Sequence, residues 1–222
     1  MPKLYIIATP LGNLKDISIR ALHTLGEVDL ILCEDTRVTK KLLNYYNIST
    51  PVESYHQHSN LRKLDYIKDL LKTGKNLALV SDSGTPGISD PGNKLVEQVK
   101  DLVEIIPIPG PAAVATIASI SGFPMDKFIF LGFPPHKKGR QKFFKEVAEE
   151  KHPVILYESP YRILKTLREL NNFGEFDIVV GRELTKQFET IYRGKIDDVI
   201  KKIEQGKIKG EFVIVIRQKR IS

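Results

Sequence analysis

Residues 76–92, N-L-A-L-V-S-D-S-G-T-P-G-I-S-D-P-G, limit what this chain can fold into more than any other stretch. The apolar run 77–81 predicts a short buried strand that ends at Asp82. The glycines and prolines up to Gly92 predict a loop, and residues 93–101 carry a helical pattern. Strand, loop and helix in that order form the unit of an open α/β sheet, where ligands bind beyond the carboxyl ends of the strands. Asp82 and Ser83 stand at such an end. Glycines leave backbone N–H groups approachable, and a carboxylate there can grip an ammonium or a pair of ribose hydroxyls. A Gly/Pro turn with Asp82 serving only as a helix cap fits the same residues.

The alternation extends along the chain. Strands are expected over 3–8, 29–33, 52–55 and 102–106, and helices over 17–25, 38–46 and 61–72. Residues 56–60, H-Q-H-S-N, are expected to cap the third helix. Pro111 in P-G-P-A-A suits the first turn of an Ala/Ser-rich helix. Ser121-Gly122-Phe123-Pro124 is the expected domain boundary, which gives α/β domains over 1–122 and 123–222. The second domain is richer in strands, at 128–131, 154–157, 176–180, 188–192 and 212–216, with helices at 161–170 and 196–203. The fold class is therefore α/β, with an open parallel-type sheet in the first half.

Hydrophobic residues make up 41% of the 222 and charged residues 27%, as in a soluble globular protein. The single cysteine, Cys33, lies in an apolar run and cannot form an intrachain disulfide, so a reducing, cytoplasmic setting is expected. No segment approaches the roughly 20 apolar residues that span a bilayer, and the N-terminal run is too short for a signal peptide. The formal charge of +7 favours a polyanionic partner. There is no G-x-x-x-x-G-K-[ST], no G-x-G-x-x-G after the first strand and no C-x-x-C. Of the five histidines only His56 and His58 are close together, as expected of solvated loop residues, and no metal site is expected.

Polar loops end most of the strands: Thr9-Pro10, Glu34-Asp35-Thr36-Arg37, His56, 82–87, 109–113, Tyr157-Glu158 and Arg182-Glu183. Their common placement points to one ligand-binding edge. Residues 136–145, H-K-K-G-R-Q-K-F-F-K, hold five Lys/Arg in ten, which suits phosphate contacts. Phe143 and Phe144 can stack on a base or join a core, and a solvated basic helix start accounts for the same segment.

Taken in order, T-P-L-G-N-L, C-E-D-T-R, S-Y-H-Q-H, V-S-D-S-G-T-P-G-I-S-D-P-G, P-G-P-A-A, L-G-F-P-P-H-K-K-G-R, Y-E-S-P-Y-R-I and R-E-L-T-K-Q-F-E cover nearly the whole chain. This series resembles the ribosomal small subunit methyltransferase I branch of the tetrapyrrole methylase superfamily. The resemblance implies a two-domain tetrapyrrole-methylase-like fold, with a mostly parallel N-terminal sheet, a mixed C-terminal sheet and the cofactor S-adenosylmethionine (SAM) in the interdomain cleft. It implies methylation of the 2′-hydroxyl of a cytidine in the decoding region of 16S rRNA, within the 30S subunit, by a homodimer. Carried over by position, the SAM contacts fall on Pro10, Asp82, Thr85, Gly110, Ala112, Ala113, Tyr157 and Leu184.

Two departures stand out. Ala8-Thr9-Pro10-Leu11-Gly12 replaces the G-x-G-P-G loop of tetrapyrrole-methylating members, which favours an RNA substrate. Many ribosomal members also continue past the last strand, so RNA contacts made there are expected on other surfaces of this chain.

In-line transfer to a weakly nucleophilic hydroxyl gains from loss of its proton, so groups at strand ends are candidates. His56 and Glu34 lead, followed by Asp35 and Glu158; Arg37 would orient a carboxylate or hold a phosphate. A structural ion-pair network accounts equally for Glu34, Asp35 and Arg37. Lys137, Lys138, Arg140, Lys142, Arg162 and Arg182 are the expected RNA contacts. Methylation of a tetrapyrrole or a modified protein residue, and a non-catalytic RNA-binding assembly factor, are the competing functions.

Overall fold

The computed structural model describes residues 1–56 and 61–219. The cap expected over 57–60 lies outside the described residues. The chain divides into two compact units, Met1–Ala112 and Ala113–Ser222. Among the described residues no helix is long and apolar enough to cross a membrane.

The first unit runs β1 (Lys3–Ile7), a 3-10 turn (Leu14–Asp16), α1 (Ile19–Glu27), β2 (Leu30–Cys33), α2 (Thr36–Tyr45), β3 (Val52–Ser54), α3 (Leu61–Lys72), β4 (Leu77–Val80), α4 (Asn93–Val99) and β5 (Glu104–Ile108). Its sheet has the order β3-β2-β4-β1-β5, and every pairing is parallel. Parallel strands must be covered on both faces, and β4 shows how the sequence meets that demand. Ala78 and Val80 pack with Ala21, Leu25, Leu42 and Leu43 of α1 and α2. Leu77 and Leu79 point the other way, to Leu64, Ile67 and Leu71 of α3 and Leu95 and Val99 of α4. All four β4 residues are buried, so the continuous apolar run is a two-faced strand.

The second unit runs α5 (Ala113–Ile120), β6 (Ile129–Phe130), α6 (Arg140–Glu149), β7 (Val154–Glu158), α7 (Ile163–Asn171), β8 (Phe176–Arg182), β9 (Thr190–Lys195), α8 (Ile196–Glu204) and β10 (Phe212–Gln218). The sheet order is β6-β7-β10-β8-β9; only β6–β7 is parallel. One face packs Phe144, Leu167, Leu170, Val199 and Ile203 from α6, α7 and α8 against Leu156, Ile178, Val180 and Ile214. The other face receives Ile117 of α5 beside Ile155, Val179, Val213 and Val215.

The division at Ala112 precedes α5, whereas the expected boundary at Gly122 follows it. Ser121-Gly122 ends the helix, but Ile117 is fully buried in the second unit's core, and that burial assigns α5. The basic segment also continues into α6, where Phe144 is fully buried and Phe143 packs on the same core. Both rings are core residues rather than base-stacking ones.

Truncating Ile117 to Ala should cost about 2–5 kcal/mol of stability, the usual range for a buried large-to-small change. Hydrogen exchange should rise in β8 and β10 while β1–β5 stay protected. Loosening confined to the first sheet would contradict the assignment of α5.

Candidate active site

The adjacent strands β2, β4 and β1 bring their carboxyl ends together, and the loops beyond them are joined by hydrogen bonds. Thr9 N–H donates to Gly84 O (2.8 Å) and Gly84 N–H to Thr9 O (3.1 Å). The Thr9 hydroxyl donates to Ser81 O (3.0 Å), and that of Ser83 to Leu11 O (3.3 Å). The Thr85 hydroxyl donates to Pro111 O (3.0 Å), which ties in the loop after β5. Gly84 adopts φ +83°, a conformation that favours glycine. A Cβ on Gly110 would lie 3.0 Å from the Ala8 Cβ, so a larger residue would push that loop off β1.

The same edge holds a group of ionisable side chains. Asp35 N–H donates to Asp82 Oδ1 (2.9 Å), linking the ends of β2 and β4. The Asp35 carboxylate caps α2 through Arg37 N–H (2.8 Å) and grips the Arg37 guanidinium, with Nη2–Oδ2 at 2.6 Å. The Arg37 side chain and backbone N–H together hold the Asp35 carboxyl down at about 2. A carboxylate that weakly basic is a poor proton acceptor, so Asp35 caps the helix and orients Arg37.

Glu34 is in the opposite situation. Burial pushes its carboxyl above the usual range and the Asp82 charge pushes it further, while His56 pulls it back. Raised basicity is what a proton acceptor requires. His56 follows Tyr55, whose N–H donates to Cys33 O (2.8 Å), and its side chain is exposed. The structure thus brings Glu34, Asp82 and His56 within electrostatic reach of one another. Among the described residues no cluster of His, Cys, Asp and Glu could hold a metal.

In the second unit, Tyr157 accepts a hydrogen bond on its hydroxyl from Val114 N–H (3.2 Å) in the first turn of α5. Its ring meets Phe130 and Phe133 edge-on, with centroids 4.8 and 5.6 Å apart. The Leu184 side chain belongs to the core, so a ligand at that position would meet only its backbone. The flanking Glu183 and Thr185 both have positive φ, +52° and +67°, which is costly for such residues and recurs at ligand-binding loops.

Two of the expected RNA contacts are corrected. Arg140 is only 4% exposed. It pairs with Glu169, donates to Pro135 O (2.8 Å) and Thr166 Oγ1 (2.6 Å), and lies over the Phe144 ring. Arg162 is mostly buried too, with its guanidinium 2.9 Å from Glu158 Oε1 and a hydrogen bond to Pro134 O (3.1 Å). The two arginines clamp the loop after β6 from beneath. Glu158, 1% exposed, is fully engaged by Arg162, Ser159 N–H and the Thr166 hydroxyl, which excludes it as a base. Arg182 donates to Lys209 O (2.7 Å). Lys137 and Lys138 are exposed, and Lys142 makes only a loose ion pair with Glu146 (3.7 Å). Thr166 and Glu169 escaped the sequence reading. Thr166 and Glu169 lie one helical turn apart on α7, a spacing that marks a shared face.

A parallel sheet carrying loops tied at one edge, followed by a mixed sheet, defines a class. The tetrapyrrole (corrin/porphyrin) methylase profile matches residues 3–200, and the chain belongs to that family. Within it, a Thermotoga maritima protein named ribosomal RNA small subunit methyltransferase I is 45% identical over 221 residues, spanning 99% of this chain and 100% of its own length. Proteins of the same name from Mycoplasmopsis pulmonis (44%; 97% of each chain) and Vibrio cholerae (46%; 97% of this chain, 77% of its own) are similar to it as well. Among solved structures, a cobalt precorrin-4 methyltransferase superposes with a TM-score of 0.72 at 21% identity, covering 97% of this chain and 94% of its own. A diphthine synthase does so at 0.73 and 14%, covering 98% and 90%. These likenesses bear out the expected fold class.

Glu34 should titrate above ordinary glutamates when followed by NMR. In Asp82→Asn its midpoint should fall without reaching the ordinary value, because burial remains. Since folding raises this pKa, Glu34 favours the folded state most below its unfolded value, and that contribution is lost as pH rises through the folded value. An unchanged midpoint in the variant would refute the coupling.

Proposed function

We propose that this protein transfers a methyl group from SAM to the 2′-hydroxyl of a cytidine in the decoding region of 16S rRNA. The carrying observation is the near full-length similarity, at 44–45% identity, to proteins named ribosomal RNA small subunit methyltransferase I. A chain of +7 formal charge is suited to a polyanionic substrate such as the assembled 30S subunit. On this reading it works in the cytoplasm as a homodimer.

The donor set fits the cofactor. Asp82 keeps a carboxylate at the edge, fixed by the Asp35 N–H, as an ammonium or ribose diol requires. Gly84 and Gly110 hold the neighbouring loops close without side chains. In the first unit Pro10, Asp82, Thr85, Gly110 and Ala112 are the proposed contacts; the Thr85 hydroxyl is already bonded to Pro111 O and fixes the loop. In the second unit they are Ala113, Tyr157 and the Leu184 backbone. SAM supplies an electrophilic methyl on a sulfonium, so the protein's work is positioning and removal of one proton.

Glu34 is the proposed proton acceptor, since burial and Asp82 make it more basic than an exposed glutamate. His56, within electrostatic reach of Glu34, is the proposed second group, to hold the substrate hydroxyl. Arg37, oriented by Asp35, offers its remaining N–H groups to a phosphate. Lys137 and Lys138 on the clamped loop, together with Lys142 and Arg182, are the further proposed phosphate contacts.

Two measurements test this reading. Asp82→Asn keeps an acceptor for Asp35 N–H but removes the charge. It should weaken SAM binding by about tenfold to a hundredfold, matching the 1.5–3 kcal/mol of a charge-assisted hydrogen bond. Unchanged affinity by calorimetry would remove Asp82 from the site. Separately, 30S subunits lacking the modification are incubated with the protein and methyl-labelled SAM, and the RNA is hydrolysed in alkali. Label in an alkali-resistant dinucleotide is the expected result; label in mononucleotides would mean base methylation. SAM binding without labelled RNA would redirect the function to a tetrapyrrole or protein substrate.

A further inference from the structure

The second unit carries a groove that the proposed chemistry does not use. It is an open concavity of about 710 Å³ whose lining includes Asp126, Lys127, Lys151, Asp177, Arg217 and Lys219. The strand register places it. Ile129 pairs with Val154, Ile216 with Val154, and Arg217 with Asp177, so all these residues gather where β6 and β7 begin. Tyr157, Glu158 and the clamped basic loop lie at the other end of the same strands. Five residues of β7, at about 3.3 Å each, separate the two ends by on the order of 15 Å.

The groove's charge has a definite pattern. Lys127, Lys151 and the pair Arg217 and Lys219 come from three separate places in the chain and outnumber Asp126 and Asp177. Arg217 is fixed: it pairs with Asp177 (3.2 Å) and lies 4.3 Å over the Phe123 ring. That pairing neutralises the one carboxylate inside the sheet edge and leaves the arginine's other N–H groups available. Lys127, Lys151 and Lys219 are exposed and form no ion pair among the described residues, whereas Lys142, Lys145 and Lys165 each face a glutamate one turn on. Convergent, uncompensated lysines around a fixed guanidinium suit a run of phosphodiesters rather than one compact anion.

We infer that this groove binds the sugar–phosphate backbone of RNA, as an anchoring site separate from the end where Tyr157 and the clamped loop lie. It positions a second segment of the substrate on the same unit, and its contacts carry no sequence information. As the RNA concerned would be the methylation substrate, the inference rests on the proposed function.

The test is the triple variant Lys127→Gln/Lys151→Gln/Lys219→Gln, compared with wild type and with the triple Lys→Arg variant. Binding to 30S subunits is measured between 50 and 200 mM salt, together with SAM affinity and single-turnover methylation. Three lost phosphate contacts should make the salt dependence shallower by about 2–3 in log–log slope. Across that fourfold rise in salt the wild type should then lose roughly 15–65-fold more affinity than the glutamine variant. SAM affinity and the methylation rate at saturating 30S should not change, and the arginine variant should bind like wild type. An unchanged slope in the glutamine variant overturns the inference. So does weaker binding in the arginine variant, because that would reflect local structure rather than charge. If wild type binds RNA through the groove yet methylates nothing, the groove stands and the methyltransferase reading fails.

Discussion

Parallel strand pairing governs the first unit. A parallel strand cannot be followed directly by its neighbour, so each must be joined through a crossover, here mostly helical, that packs back on the sheet. That requirement covers both faces of β4 and places every strand's carboxyl end at the same edge. Glu34, His56 and Asp82 follow β2, β3 and β4 and are therefore neighbours despite their separation in sequence. The chemistry of this edge is a consequence of connectivity, and the hydrogen bond from Asp35 N–H to Asp82 fixes its details.

The elements legible in the sequence are those whose burial pattern is local. Residues 61–72 repeat apolar side chains at helical spacing and form α3 with the expected bounds. The strand expected at 102–106 stops short of Pro107, yet β5 is Glu104–Ile108 and includes it. It lies at the sheet's edge, where a missing N–H costs no ladder bond. α2 begins at Thr36 rather than Val38 because Asp35 caps it. The capping signal was present, but the same residues read as chemistry. A strand is expected at 188–192, yet β9 is Thr190–Lys195, and Phe188, 66% exposed, precedes it.

The candidate site was legible in the same measure. Glycine, proline and acidic residues at strand ends reveal an edge without long-range information, and Asp82 and Glu34 stand out as candidates in that way. Arg140 and Arg162 were misread because charge does not reveal burial. The partners of Arg140 are Thr166 and Glu169, 26 and 29 residues away, and no local pattern points to them. For Asp35 the sequence leaves catalysis and an ion-pair network equally open, and its partner Arg37, two residues away, favours the structural alternative.

The buried arginines also explain how a basic loop can be held in place. Lysines alone would leave residues 133–139 without internal support, since each is a hydrated point charge on a flexible stem. Arg140 and Arg162 instead spend their planar donors on Pro135 O and Pro134 O, with Glu158, Thr166 and Glu169 satisfying the remaining charge. A buried network of this kind is stable only when every member is paired, and among the described residues no buried side-chain polar atom lacks a partner. Positive charge around these two loops is thus held in two ways. Guanidiniums such as Arg140, Arg162 and Arg217 are fixed within the framework, and ammoniums such as Lys137, Lys138, Lys127 and Lys151 remain on the surface to meet an anion.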